Sequence, residues 1–246
     1  PSGRAVRGGG GVAMDKLDPR LALIYQMVPL CRRAADVGTD HGYLICALVE
    51  SGRAESGIAA DIAPLPLDKA RREAESRGLS HRVRLVLGDG LAGVGPGEAD
   101  AVIIAGMGGE TIAHILESWP HAKDPGITWL LQPNTKPERL RDWLWAQGFS
   151  ITRERCATAN RRVYSVMEAR YTGERSPHPE WERHLGAVDP GEDRHSLSYA
   201  AKREAELDKI AYSLERTGTP EGAARAKRLQ EAARAIRQRI NERSCP

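Results

Sequence analysis

The stretch Ala34-Ala35-Asp36-Val37-Gly38-Thr39-Asp40-His41-Gly42-Tyr43-Leu44 decides the fold class. It opens on a short apolar run, turns through two glycines, and enters a helical pattern that continues through Leu48 and Val49. Strand, glycine turn and helix in that order begin an α/β unit, whose ligand sits outside the carboxyl end of the first strand. The turn is not Gly-x-Gly-x-x-Gly, because Asp40 stands where the second glycine would be. A pyrophosphate about 4 Å from Asp36 and Asp40 would be repelled by on the order of 4 kcal/mol per pair at an effective dielectric of 20. The sulfonium and ammonium of S-adenosyl-L-methionine would be attracted by the same carboxylates. The plain alternative is a tight turn with capping aspartates.

Working outward, apolar runs alternate with helical periodicity from Leu17 to Tyr171. Strands are expected at Ala34–Val37, Ser56–Ile62, Arg82–Leu87, Ala99–Ala105 and Thr128–Gln132, with a closing pair at Ser150–Cys156 and Arg162–Ala169 around a turn at Ala159–Asn160. Helices are expected between them, one carrying Ala70, Ala74 and Leu79, another Ile112, Ile115 and Leu116, a third Leu140, Trp143 and Leu144. Regular alternation implies a parallel sheet covered on both faces. The helix-free closing pair implies an antiparallel strand at its end. The expected fold is a Rossmann-like, seven-stranded α/β sheet over residues 17–171.

Residues 172–195, with Pro177, Pro179 and Pro190, are expected to be a connector. Residues 196–246 then show two helical stretches, with Leu207, Ile210 or Ala211, and Leu214 in one and Leu229, Ala232 or Ala233, Ile236 and Ile240 in the other. Thr217-Gly218-Thr219-Pro220 separates them, Gly stopping one helix and Pro starting the next. This reads as an antiparallel, coiled-coil-like hairpin. Residues 1–16 are expected to be a disordered extension without a signal-peptide pattern.

Across the 246 residues the formal charge is +3. No apolar run approaches the roughly 20 residues that span a bilayer, so no membrane association is expected. Cys31, Cys46, Cys156 and Cys245 show no paired spacing, which points to free thiols and no metal site. A cytoplasmic location is the default.

Further candidates close the other strands. Asp61, 25 positions after Asp36, can accept the ribose hydroxyls of an adenosine. In Gly88-Asp89-Gly90-Leu91, Asp89 can receive an adenine amino group while Leu91 packs on the ring; a bare β-turn is the rival. Gly106-Met107-Gly108-Gly109 lets a flat group approach the backbone. Gln132-Pro133-Asn134 offers two amides able to pair with a base edge.

In order and spacing these motifs resemble the bacterial tRNA (adenine-22-N1)-methyltransferases, from Leu17 to Ala169. The resemblance implies methyl transfer from S-adenosyl-L-methionine to N1 of an adenosine in tRNA, by a methyltransferase domain followed by a coiled-coil hairpin. It implies that Gly38, Asp61, Asp89 and Met107 line the cofactor pocket and that Asp40 is tied to catalysis. Asp36, His41, Tyr43, Gly90, Leu91 and Gly106 complete the expected cofactor set. Leu65 stands where the family commonly has Gly before Pro66-Leu67.

Adenine N1 carries its own lone pair, so alignment matters more than a base. Asp40 is the candidate for stabilising the developing cation, with Asn134 orienting the base. His41 is the acid–base alternative, and Tyr43 can stack on a base drawn from its helix. From Pro220 onward, Arg225, Lys227, Arg228, Arg234, Arg237, Arg239 and Arg243 face only Glu221, Glu231 and Glu242, a basic arm suited to phosphates. Arg153, Arg155, Arg161 and Arg162 are a second such group. The hairpin's apolar seam fits equally an RNA arm, packing on the catalytic domain or a dimer interface. Rival functions are a small-molecule or protein methyltransferase, a non-catalytic RNA-binding protein, and an NAD-dependent oxidoreductase, the last disfavoured by Asp40.

Overall fold

The computed structural model describes residues 16–244. In chain order they form α1 (Pro19–Met27), β1 (Cys31–Val37), α2 (Tyr43–Glu50), β2 (Ala54–Asp61), α3 (Pro64–Ser76), β3 (Val83–Leu87), β4 (Ala101–Gly108) and α4 (Gly109–Ser118). There follow β5 (Thr128–Thr135), α5 (Pro137–Ala146), β6 (Phe149–Ala159), β7 (Arg162–Tyr171), α6 (Glu180–Leu185), α7 (Arg194–Glu215) and α8 (Pro220–Ser244). The seven strands make one sheet in the order β3-β2-β1-β4-β5-β7-β6. β1 runs parallel to β2 and β4, β2 parallel to β3, and β7 antiparallel to β6. This is the Rossmann-like sheet with a terminal antiparallel pair and a C-terminal helical hairpin that the sequence implies. Residues 1–15 of the expected extension lie outside the described residues, while Lys16 is held by Glu73 at 2.8 Å.

The chain divides into two compact units, one of residues 16–105 and 118–130, the other of residues 106–117 and 131–244. In the first, Asp18 Oδ1 accepts the Leu21 N–H at 2.8 Å and Pro19 occupies the first turn, which starts α1. β1 begins three residues earlier than expected, at Cys31. From Leu44 to Val49 every residue of α2 is buried, so this helix is a core element and not an amphipathic one. α3 ends at Ser76, and Leu79 lies past it, buried, after a left-handed Gly78. Gly42 enters α2 with φ 70°, and a Cβ there would come within 2.8 Å of Ala70, so only glycine lets α2 and α3 approach this closely.

In the second unit, β6 and β7 join through Asn160 and Arg161, both left-handed (φ 49° and 61°), the pattern of a two-residue hairpin turn. The expected connector contains α6, and α7 begins within it at Arg194, capped by Asp193. Arg141 of α5 is fully buried and binds Glu154 of β6 through two bonds (2.5 and 3.2 Å). Its other donors reach the Arg183 carbonyl (2.8 Å), the His184 carbonyl (3.1 Å) and the Tyr199 hydroxyl (3.0 Å). One guanidinium thus caps the C-terminus of α6 and ties it to α7 and β6. The hairpin seam is filled within the chain: Leu207, Ala211, Ala226, Leu229, Ala233 and Ile236 pack together, continuous with Cys156, Leu185 and Tyr199.

Candidate active site

The parallel register brings the ends of β1, β2 and β3 to one edge of the first unit. There the loop after β1 and the start of α1 enclose a cavity of about 280 Å³, lined among others by Lys16, Asp18, Arg20, Asp36, Gly38, Asp40, His41 and Tyr43. Asp36, the penultimate residue of β1, is buried and forms no ion pair with a described residue. Burial lifts its carboxyl from 3.8 to about 6, partly offset by the Thr39 hydroxyl and the Arg20 guanidinium. Asp40 is different: its side chain is 74% exposed, with His41 Nδ1 at 2.9 Å and Lys69 Nζ at 3.6 Å. His41 also stacks on Tyr43 at 5.1 Å between ring centroids, and Lys16 lies 5.1 Å from the same Tyr43 ring. The two aromatic groups therefore already have partners, although both remain partly accessible.

At the end of β2, Asp61 Oδ1 accepts the Ala63 N–H at 2.8 Å, leaving its other oxygen for a ligand. The Gly88 N–H donates to the Asp61 carbonyl at 3.0 Å, so the turn bearing Asp89 and Gly90 adjoins Asp61. Asp89 is exposed, whereas Leu91 is a core residue at 2% exposure. Reading the sequence missed the apolar groups left in water here: Ile62 (69%), Leu65 (66%) and Leu87 (61%). Ile62 and Leu87 carried a signal, as large aliphatic residues at or just past a strand end, where a solvated loop favours polar ones, whereas Leu65 lies in the first turn of α3.

In the second unit, Gly106 and Met107 belong to the last turnless residues of β4, and Gln132, Pro133 and Asn134 to β5, which runs past its expected end to Thr135. Gly106 has φ 83°, a conformation that favours glycine. Gln132 is fully buried and Asn134 exposed. Asn134 Nδ2 donates to the Gly106 carbonyl at 2.8 Å.

Of the candidate phosphate-binding arginines, Arg153 pairs with Glu168 (3.0 Å) and Arg155 with Glu192 (2.7 Å). Arg161 and Arg162 are exposed and make no ion pair among the described residues. On α8, Arg237 is taken up by Glu204 (2.6 Å) and Asp208 (3.0 Å), and Arg239 stacks on Trp181 at 3.3 Å. Arg225, Lys227, Arg228 and Arg234 remain exposed without ion pairs among the described residues. Arg243's side chain and Cys245 lie outside the described residues. Among the described residues there is no metal-ligating cluster, and no helix is long and apolar enough to cross a membrane.

Comparison with known proteins adds to this geometry. Residues 17–167 match the family described as a methyltransferase domain. The chain is 36% identical over 154 residues to the tRNA (adenine(22)-N(1))-methyltransferase of Bacillus subtilis, a match covering 63% of this chain and 65% of that protein. The matched segment therefore spans just under two thirds of that relative's length. The crystal structure of the Bacillus subtilis tRNA methyltransferase TrmK is similar with a TM-score of 0.78 and 27% identity, over 92% of this chain and 99% of that one. A Streptococcus pneumoniae protein, a candidate tRNA methyltransferase solved in complex with S-adenosyl-L-methionine, gives 0.74 and 28% over 90% and 98%.

Proposed function

The chain belongs to the methyltransferase-domain family, and from that premise we propose that it transfers the methyl group of S-adenosyl-L-methionine to N1 of an adenosine, position 22, in tRNA in the cytoplasm. The cofactor reading is carried by Asp36, a buried carboxyl that lines the cavity and makes no ion pair among the described residues. A cationic ligand meets that demand, and the pyrophosphate of NAD does not. The tRNA reading rests on likeness to tRNA methyltransferases over nine tenths of the chain and on the unpaired cations of α8.

When bound, S-adenosyl-L-methionine supplies an electrophilic methyl group: the N1 lone pair forms the new C–N bond as the C–S pair returns to sulfur, giving an N1-methyladenosine cation. Asp36 would hold the cofactor's positive charge, Asp61 its ribose hydroxyls and Asp89 its adenine amino group. Asp40 would face the charge appearing on the base, its carboxylate held ready by His41 and Lys69. No base is needed, because N1 bears no proton to remove.

The test is transfer from labelled cofactor to unmodified bacterial tRNA, followed by nucleoside analysis, with wild type and Asp40→Ala side by side. N1-methyladenosine should form with wild type and fall by about two orders of magnitude with the variant. Cofactor binding without any tRNA product would overturn the tRNA assignment and leave a small-molecule or protein substrate.

A further inference from the structure

The turn that closes the β6–β7 hairpin puts a strained backbone and free positive charge at the same place. Asn160 and Arg161 both have positive φ, 49° and 61°. Asparagine visits the left-handed region readily, whereas a long L side chain does so at a cost in free energy. The second place of such a turn is the one where glycine is the default. Yet Arg161 stands there, exposed, and its side chain makes no ion pair or hydrogen bond among the described residues. Strain that no internal contact offsets points to a use for the side chain outside the chain.

The nearby carboxylates are already engaged. Glu154 binds Arg141, Glu168 binds Arg153 and Glu192 binds Arg155. Asp193 caps α7, accepting from the His195 and Ser196 N–H groups at 2.9 and 2.7 Å. Arg162, next to Arg161 and also exposed, makes no ion pair among the described residues either. The tip that carries these two cations is held from behind. Thr158 Oγ1 and His195 Nδ1 lie 2.9 Å apart, and Ser165 Oγ donates to the Tyr199 hydroxyl at 3.3 Å. Val163, opposite Thr158 in the strand register, packs against the core that β6 shares with α7 and α8. Charges on a braced two-residue turn lose less freedom on binding than charges on a long loop.

We infer that Arg161 and Arg162 form a phosphate-binding tip for tRNA, in addition to the cations of α8, and that arginine is kept at position 161 for this contact despite the strain. The inference rests on the reading that tRNA is the substrate. A guanidinium can take two oxygens of one phosphate, and each phosphate so neutralised releases condensed counterions.

The experiment titrates labelled, unmodified tRNA with the full chain over a range of salt, by fluorescence anisotropy, and pairs this with urea unfolding. Arg161→Gly should do two opposite things. Its unfolding midpoint should rise, because glycine relieves the left-handed strain, while its Kd for tRNA rises several-fold and its salt slope falls by about one. Arg162→Gln, at a position without that strain, should show the same loss of slope. Arg161→Lys keeps the charge and should keep most of the slope. A wild-type Kd and slope in both Arg161→Gly and Arg162→Gln would overturn the inference. So would a lowered midpoint in Arg161→Gly, which would mean that the arginine serves the fold, or an Arg161→Lys protein that loses as much slope as Arg161→Gly. A wild type that binds no tRNA would instead overturn the reading on which the inference rests.

Discussion

Burying Asp36 makes the ligand-free protein pay for an ionised carboxyl whose desolvation the Arg20 guanidinium only partly offsets, and this has a measurable sign. With a folded-state value of about 6 against 3.8, the protonated form is the one folding favours. The group's contribution is fully present below about pH 4 and is lost as pH rises through 6, an effect of about 3 kcal/mol. Asp36→Asn removes it. Relative to wild type, the variant should therefore gain stability between pH 4 and 7, seen by urea unfolding without ligand. Cofactor affinity should behave oppositely: in wild type it should weaken as pH falls below 6, and in Asp36→Asn it should be weak and flat by titration calorimetry. Equal pH dependence of the two proteins would sink this account. The sequence made Asp36 and Asp40 legible as a pair of carboxylates in one glycine turn. It could not separate them, because burial of one and the Lys69 contact of the other depend on α3 packing across the loop.

Among the elements, the strand–helix alternation was legible because apolar runs such as Val102–Ile104 have the length of a strand buried on both faces. β5 was cut short at Gln132 because Pro133 lacks the N–H a central strand needs, and such a proline normally ends a strand. α6 was hidden among the prolines of the connector, although Pro179 followed by Glu180 and Glu182 is a helix-start pattern. α1 carried the same kind of signal in Asp18-Pro19. What α6 lacks in length it gains from Arg141, whose donors take its last carbonyls. Arg141→Met would leave Glu154 buried and unpaired, at a cost of about 3–5 kcal/mol. Arg141→Met with Glu154→Met should recover part of that, since no lone charge remains. Chemical unfolding of the two singles and the double decides it, and additive losses would mean the pair is not coupled.

For the whole molecule, a net charge of +3 says little about partners, whereas its distribution says more. Ion pairs take up Arg153, Arg155 and Arg237, while Arg161 and Arg162 at the β6–β7 turn and Arg225, Lys227, Arg228 and Arg234 on α8 stay open to a polyanion. Removing the whole hairpin is a poor test of their role, because Tyr199, Ala200 and Leu207 belong to the second unit's core. Changing these four α8 cations to Gln avoids that. If α8 tracks tRNA phosphates, the change should raise KM for tRNA and flatten its salt dependence, with cofactor affinity unchanged. Unaltered KM and salt slope would assign tRNA binding to another surface. The Arg141 knot bears on a further property, the order in which the second unit assembles. Its partners lie from 13 to 58 positions away in the chain, on three separate elements. A guanidinium so enclosed finds its full set of acceptors only when β6, α6 and α7 have all arrived. The knot therefore ties late in folding, and on heating the base of the hairpin should come apart with the strands beside it in one cooperative step and not fray first.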